Sequence, residues 1–302
     1  MIEYLRDIYD FAQSNPRKIP TAVKHEVNYY GRCINQEYYK KAGKRKGFDL
    51  VEKDWDTAII LDACRYDFFK NRNRLLQGSL KKEISPGSES REFIQRSFVG
   101  RDLHDTVYVT ANPYTKLVEP DTFHKIFLDE AWDEQGDQAP ADRVTNVAMD
   151  AHKKYPEKRI IVHYMQPHLP IIPSEQNSIN DSLKGVREGY WPTGTTTMTE
   201  VRKAYAANLE YVLEYIEELI ETVDGKIVVT ADHGELLGER QSPIPVRGTD
   251  HFPNLYVPEL IEVPWLTIRE EKRRKITEEP PEDEFTVDEE ATQDRLKALG
   301  YI

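Results

Sequence analysis

Short, unbroken apolar runs punctuate this chain, and stretches with helical periodicity lie between them. Thr57–Leu61 (TAIIL), Thr106–Thr110 (TVYVT), Arg159–Tyr164 (RIIVHY), Lys226–Ala231 (KIVVTA) and Pro264–Ile268 (PWLTI) lack the in-out alternation of a half-exposed strand. Such runs suit strands covered on both faces, the usual situation in parallel sheets. Asp142–Tyr155 reads as a helix. Glu200–Val223 reads as another, because Val201, Tyr205, Leu209, Val212, Ile216 and Leu219 recur every three or four residues and form one buried stripe. Thr197, three residues before Glu200, predicts a capping box at its start. Strands alternating with helices predict an α/β fold: a three-layer αβα sandwich around a mostly parallel central sheet. In that architecture functional groups collect at the carboxyl ends of the strands.

The flanks follow other patterns. Residues 1–50 read as an N-terminal helical extension with aromatic positions at Tyr4, Tyr9, Phe11, Tyr29, Tyr30, Tyr38 and Tyr39, ending in Lys40, Lys41, Lys44, Arg45 and Lys46. The basic end has two readings, a solvated helix terminus or a contact with anionic lipid or polymer. Residues 51–268 contain all the strand-like runs and form the expected catalytic domain. Residues 269–302 read as a charged linker containing Glu279-Pro280-Pro281-Glu282-Asp283-Glu284, followed by a docking segment, Leu296–Ile302, where apolar residues return.

Composition narrows the class. With 302 residues, 39% hydrophobic and 31% charged, the chain can bury a sizeable core and stay in solution. A net charge of -12, from 41 basic and 53 acidic side chains, argues against a nucleic-acid binder. Two cysteines, Cys33 and Cys64, supply neither a disulfide framework nor a thiolate zinc site, which suits a reducing compartment. The first residues carry Glu3, Asp7 and Asp10 rather than an apolar signal core, and no stretch approaches the ~20 apolar residues of a transmembrane segment. The expectation is a cytoplasmic protein, in which the glycosylation-like Asn180-Asp181-Ser182 arises by chance.

The chemistry-bearing residues cluster after strand-like runs. Val228–Glu235 (VVTADHGE) delivers Asp232 and His233 to a strand end, followed by Gly234, which allows close backbone approach. An oxygen and a nitrogen ligand together suit a divalent ion such as Zn, Mn or Mg. Asp62 ends the first run, in LDACRYD, where it can share that ion or cap a helix, with Arg65 and Asp67 forming an ion pair beside it. In Ser85–Phe93 (SPGSESREF), Ser88 and Ser90 both precede a helix start, and a hydroxyl there sits in a positive field that favours an alkoxide. Ser88 is the preferred nucleophile candidate, Ser90 the second. His168 in HYMQPHLP and His251 in GTDHFP are candidates to contact substrate oxygens or a second cation. His25, His104, His124 and His152 read as surface or satisfied imidazoles.

This series of motifs resembles the alkaline phosphatase superfamily, in particular its sulfatase-like branch. The likeness runs from about Asp56 to Leu266, with an echo in the terminal RLKALGYI, and VVTADHGE is its most specific element. The resemblance implies that Asp62, Asp232 and His233 hold the main metal (Zn, Mn, Mg or Ca), that the serine nucleophile also touches it, and that His168 and His251 face the transferred group. The offset of Glu92-Phe93, similar to that of lipoteichoic acid synthase-like relatives, favours Ser88 as that nucleophile. Neither cysteine lies in the Cys-x-Pro/Ala-Ser-Arg pattern from which sulfatases make formylglycine, so phosphate esters are expected over sulfate esters. Tyr164, four residues before His168, stands where two-metal relatives carry an aspartate, which argues for one metal rather than two. The expected function is metal-dependent hydrolysis or transfer of a phosphate mono- or diester carried by a small molecule, lipid or glycan. Sulfuric-ester hydrolysis and a non-catalytic binding role are the alternatives.

Overall fold

The structure, a computed structural model, describes residues 19–43, 46–133, 139–168, 197–268, 272–283 and 285–298. The strands are β1 (Thr57–Asp62), β2 (Ser79–Ile84), β3 (Leu103–Thr110), β4 (Phe123–Phe127), β5 (Arg159–Pro167), β6 (Ile227–Ala231), β7 (Leu236–Arg240), β8 (Arg247–Asp250) and β9 (Glu262–Ile268). The helices are α1 (Ile19–Ala42), α2 (Tyr66–Arg72), α3 (Ser90–Ser97), α4 (Ala141–Lys154), α5 (Met198–Thr222), α6 (Pro258–Ile261) and α7 (Glu289–Ala298). Seven strands form one sheet in the order β2-β9-β6-β1-β5-β3-β4, while β7 and β8 pair separately. β1, β3, β4, β5 and β6 run parallel, and β9 is antiparallel to both of its neighbours.

Adjacent residues of β5 show why its run is apolar throughout. Tyr164 points to one face, where its hydroxyl meets Thr145 of α4 at 2.7 Å. His163 points to the other, where its ring meets Phe93 of α3 at 6.4 Å between centroids. With helices on both faces, every position after the partly exposed Arg159 is buried, and each buried branched side chain such as Ile160 or Val162 contributes about 1.5–3 kcal/mol. The fold is thus a sandwich of helices around a mostly parallel sheet. The capping box at Thr197 and Glu200 is present, and α5 buries the stripe from Val201 to Leu219.

The edge strand β2 and the 272–283 segment both differ from the sequence expectation. β2, with exposed lysines at 81 and 82, is an edge strand whose outer positions gain little from burial, so its sequence carries no apolar run. Residues 272–283 are tethered by polar contacts rather than apolar ones, so they do not form a loose linker. Arg273 Nε and Nη2 donate to the buried Asp56, and the amides of Thr277, Glu279 and Glu282 donate to Glu157, His104 and His124 carbonyls. The helical reading of Tyr4, Tyr9 and Phe11, Lys44 and Arg45 of the basic cluster, Asn180–Ser182 and the last residues of the docking segment lie outside the described residues. None of the described helices is long and apolar enough to cross a membrane.

Candidate active site

Strand register builds the first half of the site. β1 and β6 pair in parallel with Leu61 opposite Ala231, so the next residues, Asp62 and Asp232, leave the sheet side by side. Ala63 turns the chain immediately afterwards with φ 58°, and its N–H donates to Asp232 Oδ1 at 3.0 Å. The His233 N–H donates to the same oxygen at 2.7 Å, which leaves Oδ2 facing inward. Gly234 fits because any Cβ there would meet the Glu259 carbonyl at 2.1 Å.

Ser90, the first residue of α3, completes this group. Its Oγ lies 2.7 Å from Asp232 Oδ2, 3.1 Å from His233 Nε2 and 3.4 Å from Asp62 Oδ2. His233 Nε2 is 3.4 Å from both Asp62 Oδ1 and Asp232 Oδ2. Asn112 Nδ2 donates to Asp62 Oδ2 at 3.3 Å, and His163 Nε2 stands 3.7 Å from Asp232 Oδ2. Asp62, Ser90, His163, Asp232 and His233 are all fully buried.

Ser88 is elsewhere, against expectation. Its hydroxyl and its amide both meet Glu92 Oε2, at 3.1 and 3.0 Å, and the hydroxyl also meets the Phe252 carbonyl at 2.9 Å. The cause lies in how α3 starts. Glu89, rather than a serine, is the cap and accepts the Glu92 amide at 3.1 Å, so the helix begins at Ser90 and turns that side chain toward the strand ends. Ser88 instead ties the loop to the segment after His251.

His168, Glu235, Asp250 and His251 form a second group, with ligand-capable atoms within 4.8 Å of one another. Leu236 of β7 faces Asp250 of β8, and this pairing brings Glu235 to His251, whose Nδ1 lies 3.2 Å from Glu235 Oε2. The His251 ring is 4.4 Å from that of His233 and 5.1 Å from that of His168, so the two groups adjoin. Asn208 of α5 holds the His168 carbonyl at 2.9 Å. Glu235, Asp250, His163 and Asn112 were not singled out in the sequence. Glu235 stands within the conspicuous VVTADHGE and Asp250 beside His251, whereas His163 and Asn112 give no local signal. No aspartate stands four residues before His168, but Glu235 and Asp250 bring two carboxylates to this group from other segments.

Electrostatics separate the groups. Burial alone would raise the Asp232 carboxyl, but His233, His163 and the Ser90 hydroxyl hold it below the usual carboxylate range. Burial pushes His233 down to about 4 despite Asp232. Its Nδ1–H donates to the Gly234 carbonyl at 2.7 Å, so Nε2 presents a lone pair to two carboxylates. Burial raises Glu235 to about 8 and Asp250 to about 7, in the latter case against the pull of His251. A neutral imidazole lone pair facing carboxylate oxygens at 3.4 Å is an arrangement of acceptors that a cation satisfies. Asp62, Asp232, His233 and Ser90 therefore fit a divalent metal by their donor chemistry, and His168, Glu235, Asp250 and His251 are a further candidate group.

A family model described as Sulfatase matches residues 72–288, well over half of the chain, and the chain belongs to the sulfatase family. The match begins after Asp62, which joins the site through the β1–β6 register. A search of curated proteins finds no match. Among solved structures, the C-terminal periplasmic domain of EptC from Escherichia coli in complex with Zn is similar at 13% identity, covering 74% of this chain and 76% of that chain with a TM-score of 0.43. A putative sulfatase from Bacteroides thetaiotaomicron is similar at 11% identity, covering 77% and 67% with a TM-score of 0.46. The periplasmic domain of the phosphoethanolamine transferase EptC from Campylobacter jejuni shares 15% identity over 70% of this chain and 78% of its own, with a TM-score of 0.43. The family and the geometry of the site, rather than these distant likenesses, carry the functional reading.

Proposed function

We propose that this protein hydrolyses or transfers a phosphate ester through Ser90, with a divalent cation held by Asp62, Asp232 and His233. The observation that carries the reading is the meeting of the Ser90 hydroxyl with Asp232, His233 and Asp62 in one fully buried cluster. The cation would supply Lewis acidity, lowering the pKa of the serine hydroxyl and offsetting charge on the phosphoryl oxygens. Asp232 Oδ2 orients the Ser90 hydroxyl, whose proton passes to solvent water as Oγ attacks phosphorus in line with the leaving alcohol. One P–O bond forms, the bond to the alcohol breaks, and a phosphoserine results. His168 and His251 face the leaving oxygen and the equatorial oxygens, and His251 passes a proton to the departing alcohol while the protonated Glu235 restores one at the His251 Nδ1. Water or a second alcohol then attacks the phosphoserine and restores the serine.

A sulfate ester is the second reading, which the family supports. The absence of the cysteine pattern needed for formylglycine, together with the placement of an unmodified serine, favours phosphorus. Turnover of matched aryl phosphate monoesters, aryl phosphodiesters and aryl sulfates by protein supplied with Zn or Mn tests the choice. The expected result is phosphate-ester turnover at least ~100-fold above sulfate turnover; the reverse order would establish the second reading. Turnover of none would reject both.

A further inference from the structure

Helix α1 is anchored on the segment that carries His251. Asn35 Nδ2 donates to Gln241 Oε1 at 3.2 Å and to the Ile244 carbonyl at 2.9 Å, while its Oδ1 accepts the Ile244 N–H at 2.8 Å. Gln36 Nε2 donates to the Pro253 carbonyl at 2.8 Å. The Tyr39 ring meets that of Tyr256 edge-on at 6.2 Å. Among these contacts lies Arg32, its guanidinium carbon 3.8 Å from the centre of the Phe252 ring, next in sequence to His251.

Arg32 is half-buried and, unlike the buried Arg65 and Arg295, has no counter-ion among the described residues. Arg65 is closed by Asp67 and Glu239, each at 2.8 Å, and Arg295 by Asp129 at 2.6 Å. Among the described residues, no carboxylate forms an ion pair with Arg32, and its buried Nε has no hydrogen-bond partner. Burial lowers its pKa, with Cys33, Asp250 and Tyr29 pulling the other way. Stacking on Phe252 fixes the plane of the guanidinium, which leaves a preorganised fork of donors beside the second cluster. A half-buried guanidinium with an unpartnered Nε gains from a bidentate anion, the partner whose geometry matches.

Resting on the phosphate-ester reading above, we infer that Arg32 binds a second anionic group of the substrate, a carboxylate or phosphate carried in addition to the group transferred at Ser90. The substrate class is therefore a phosphoester with two separate negative groups. Binding, rather than turnover, provides the test. Full-length protein supplied with Zn is titrated calorimetrically with alkylphosphonates of two to five carbons, with and without a terminal carboxylate. Charge-assisted hydrogen bonds of about 1.5–3 kcal/mol correspond to roughly 10–100-fold in affinity, the advantage expected for the best carboxylated chain length. Arg32→Met should reduce that advantage to within about twofold, and Arg32→Lys should keep part of it. Equal or absent binding of the two series by the unaltered protein would overturn the inference, as would an advantage that survives Arg32→Met. Aryl phosphodiester turnover by the same preparations keeps the two readings apart. An advantage without turnover would reject the enzyme and leave the anion subsite, and turnover without an advantage would do the opposite.

Discussion

Strand β1 has an aspartate at each end, and both are fully buried, yet they serve different purposes. Asp56, just before the strand, is closed by protein cations and amides: Arg273 Nε and Nη2 donate to it at 2.8 and 2.9 Å, and the Lys226 N–H at 2.7 Å. Burial would raise its carboxyl, but Arg273 and these amides hold it below the ordinary range. Asp62, six positions on, faces Ser90, His233, Asn112 and, across the register, Asp232. The amino-terminal end is a closed ion pair that ties the 272–283 segment to the sheet. The carboxyl-terminal end is a convergence of acceptors around one hydroxyl. Burial of a carboxylate therefore says little about function until its partners are known.

The contrast can be broken from either end. Asp232→Asn should cause the largest effect, a loss of at least ~1,000-fold in phosphate-ester turnover together with loss of bound metal, while melting of the metal-free protein changes little; kinetics, metal analysis and calorimetry together check this. Arg273→Ala should do the converse. It leaves Asp56 buried with fewer partners and should cost about 1–3 kcal/mol of stability, read by denaturant unfolding, with turnover kept within about twofold. The smallest effect concerns His152, at the same end of the sheet. Burial, reinforced by Arg274, pushes its pKa down to about 3, and Arg274 Nη1 donates to its Nδ1 at 2.7 Å. The folded state binds its proton less readily than the unfolded chain. Its contribution is therefore complete above the ordinary histidine value and is lost as pH falls from about 6.5 toward about 3. Unfolding midpoints across that window should fall less steeply for His152→Gln than for the unaltered protein.

Much of the fold was legible because strands covered on both faces cannot conceal their apolar runs. β1, β3, β5, β6 and β9 all announce themselves, and α5 adds its stripe and capping box. β2, β4 and the β7–β8 pair carry no such run, since edge and hairpin strands draw their order from neighbours rather than from their own side chains. In the site, Asp62, Asp232 and His233 meet as their strand-end positions predicted, whereas Ser90 rather than the preferred Ser88 lies against them. Ser88 and Ser90 are indistinguishable as hydroxyls before a helix. What separates them is Glu89 as the cap, with Ser88 held by a local contact with Glu92 and a tertiary one with Phe252. His163 and Asn112 enter only through the sheet order, which places β5 beside β1 and β3 beside β5.

Phosphoryl transfer through Ser90 requires that one oxygen atom, its Oγ, become covalently modified. Protein supplied with metal, mixed with an activated aryl phosphodiester and quenched in acid within its first turnovers, should yield a peptide carrying the transferred phosphoryl group, which fragmentation mass spectrometry assigns to Ser90. A modification mapped to Ser88, or turnover with no modified peptide at any quench time, would contradict the account.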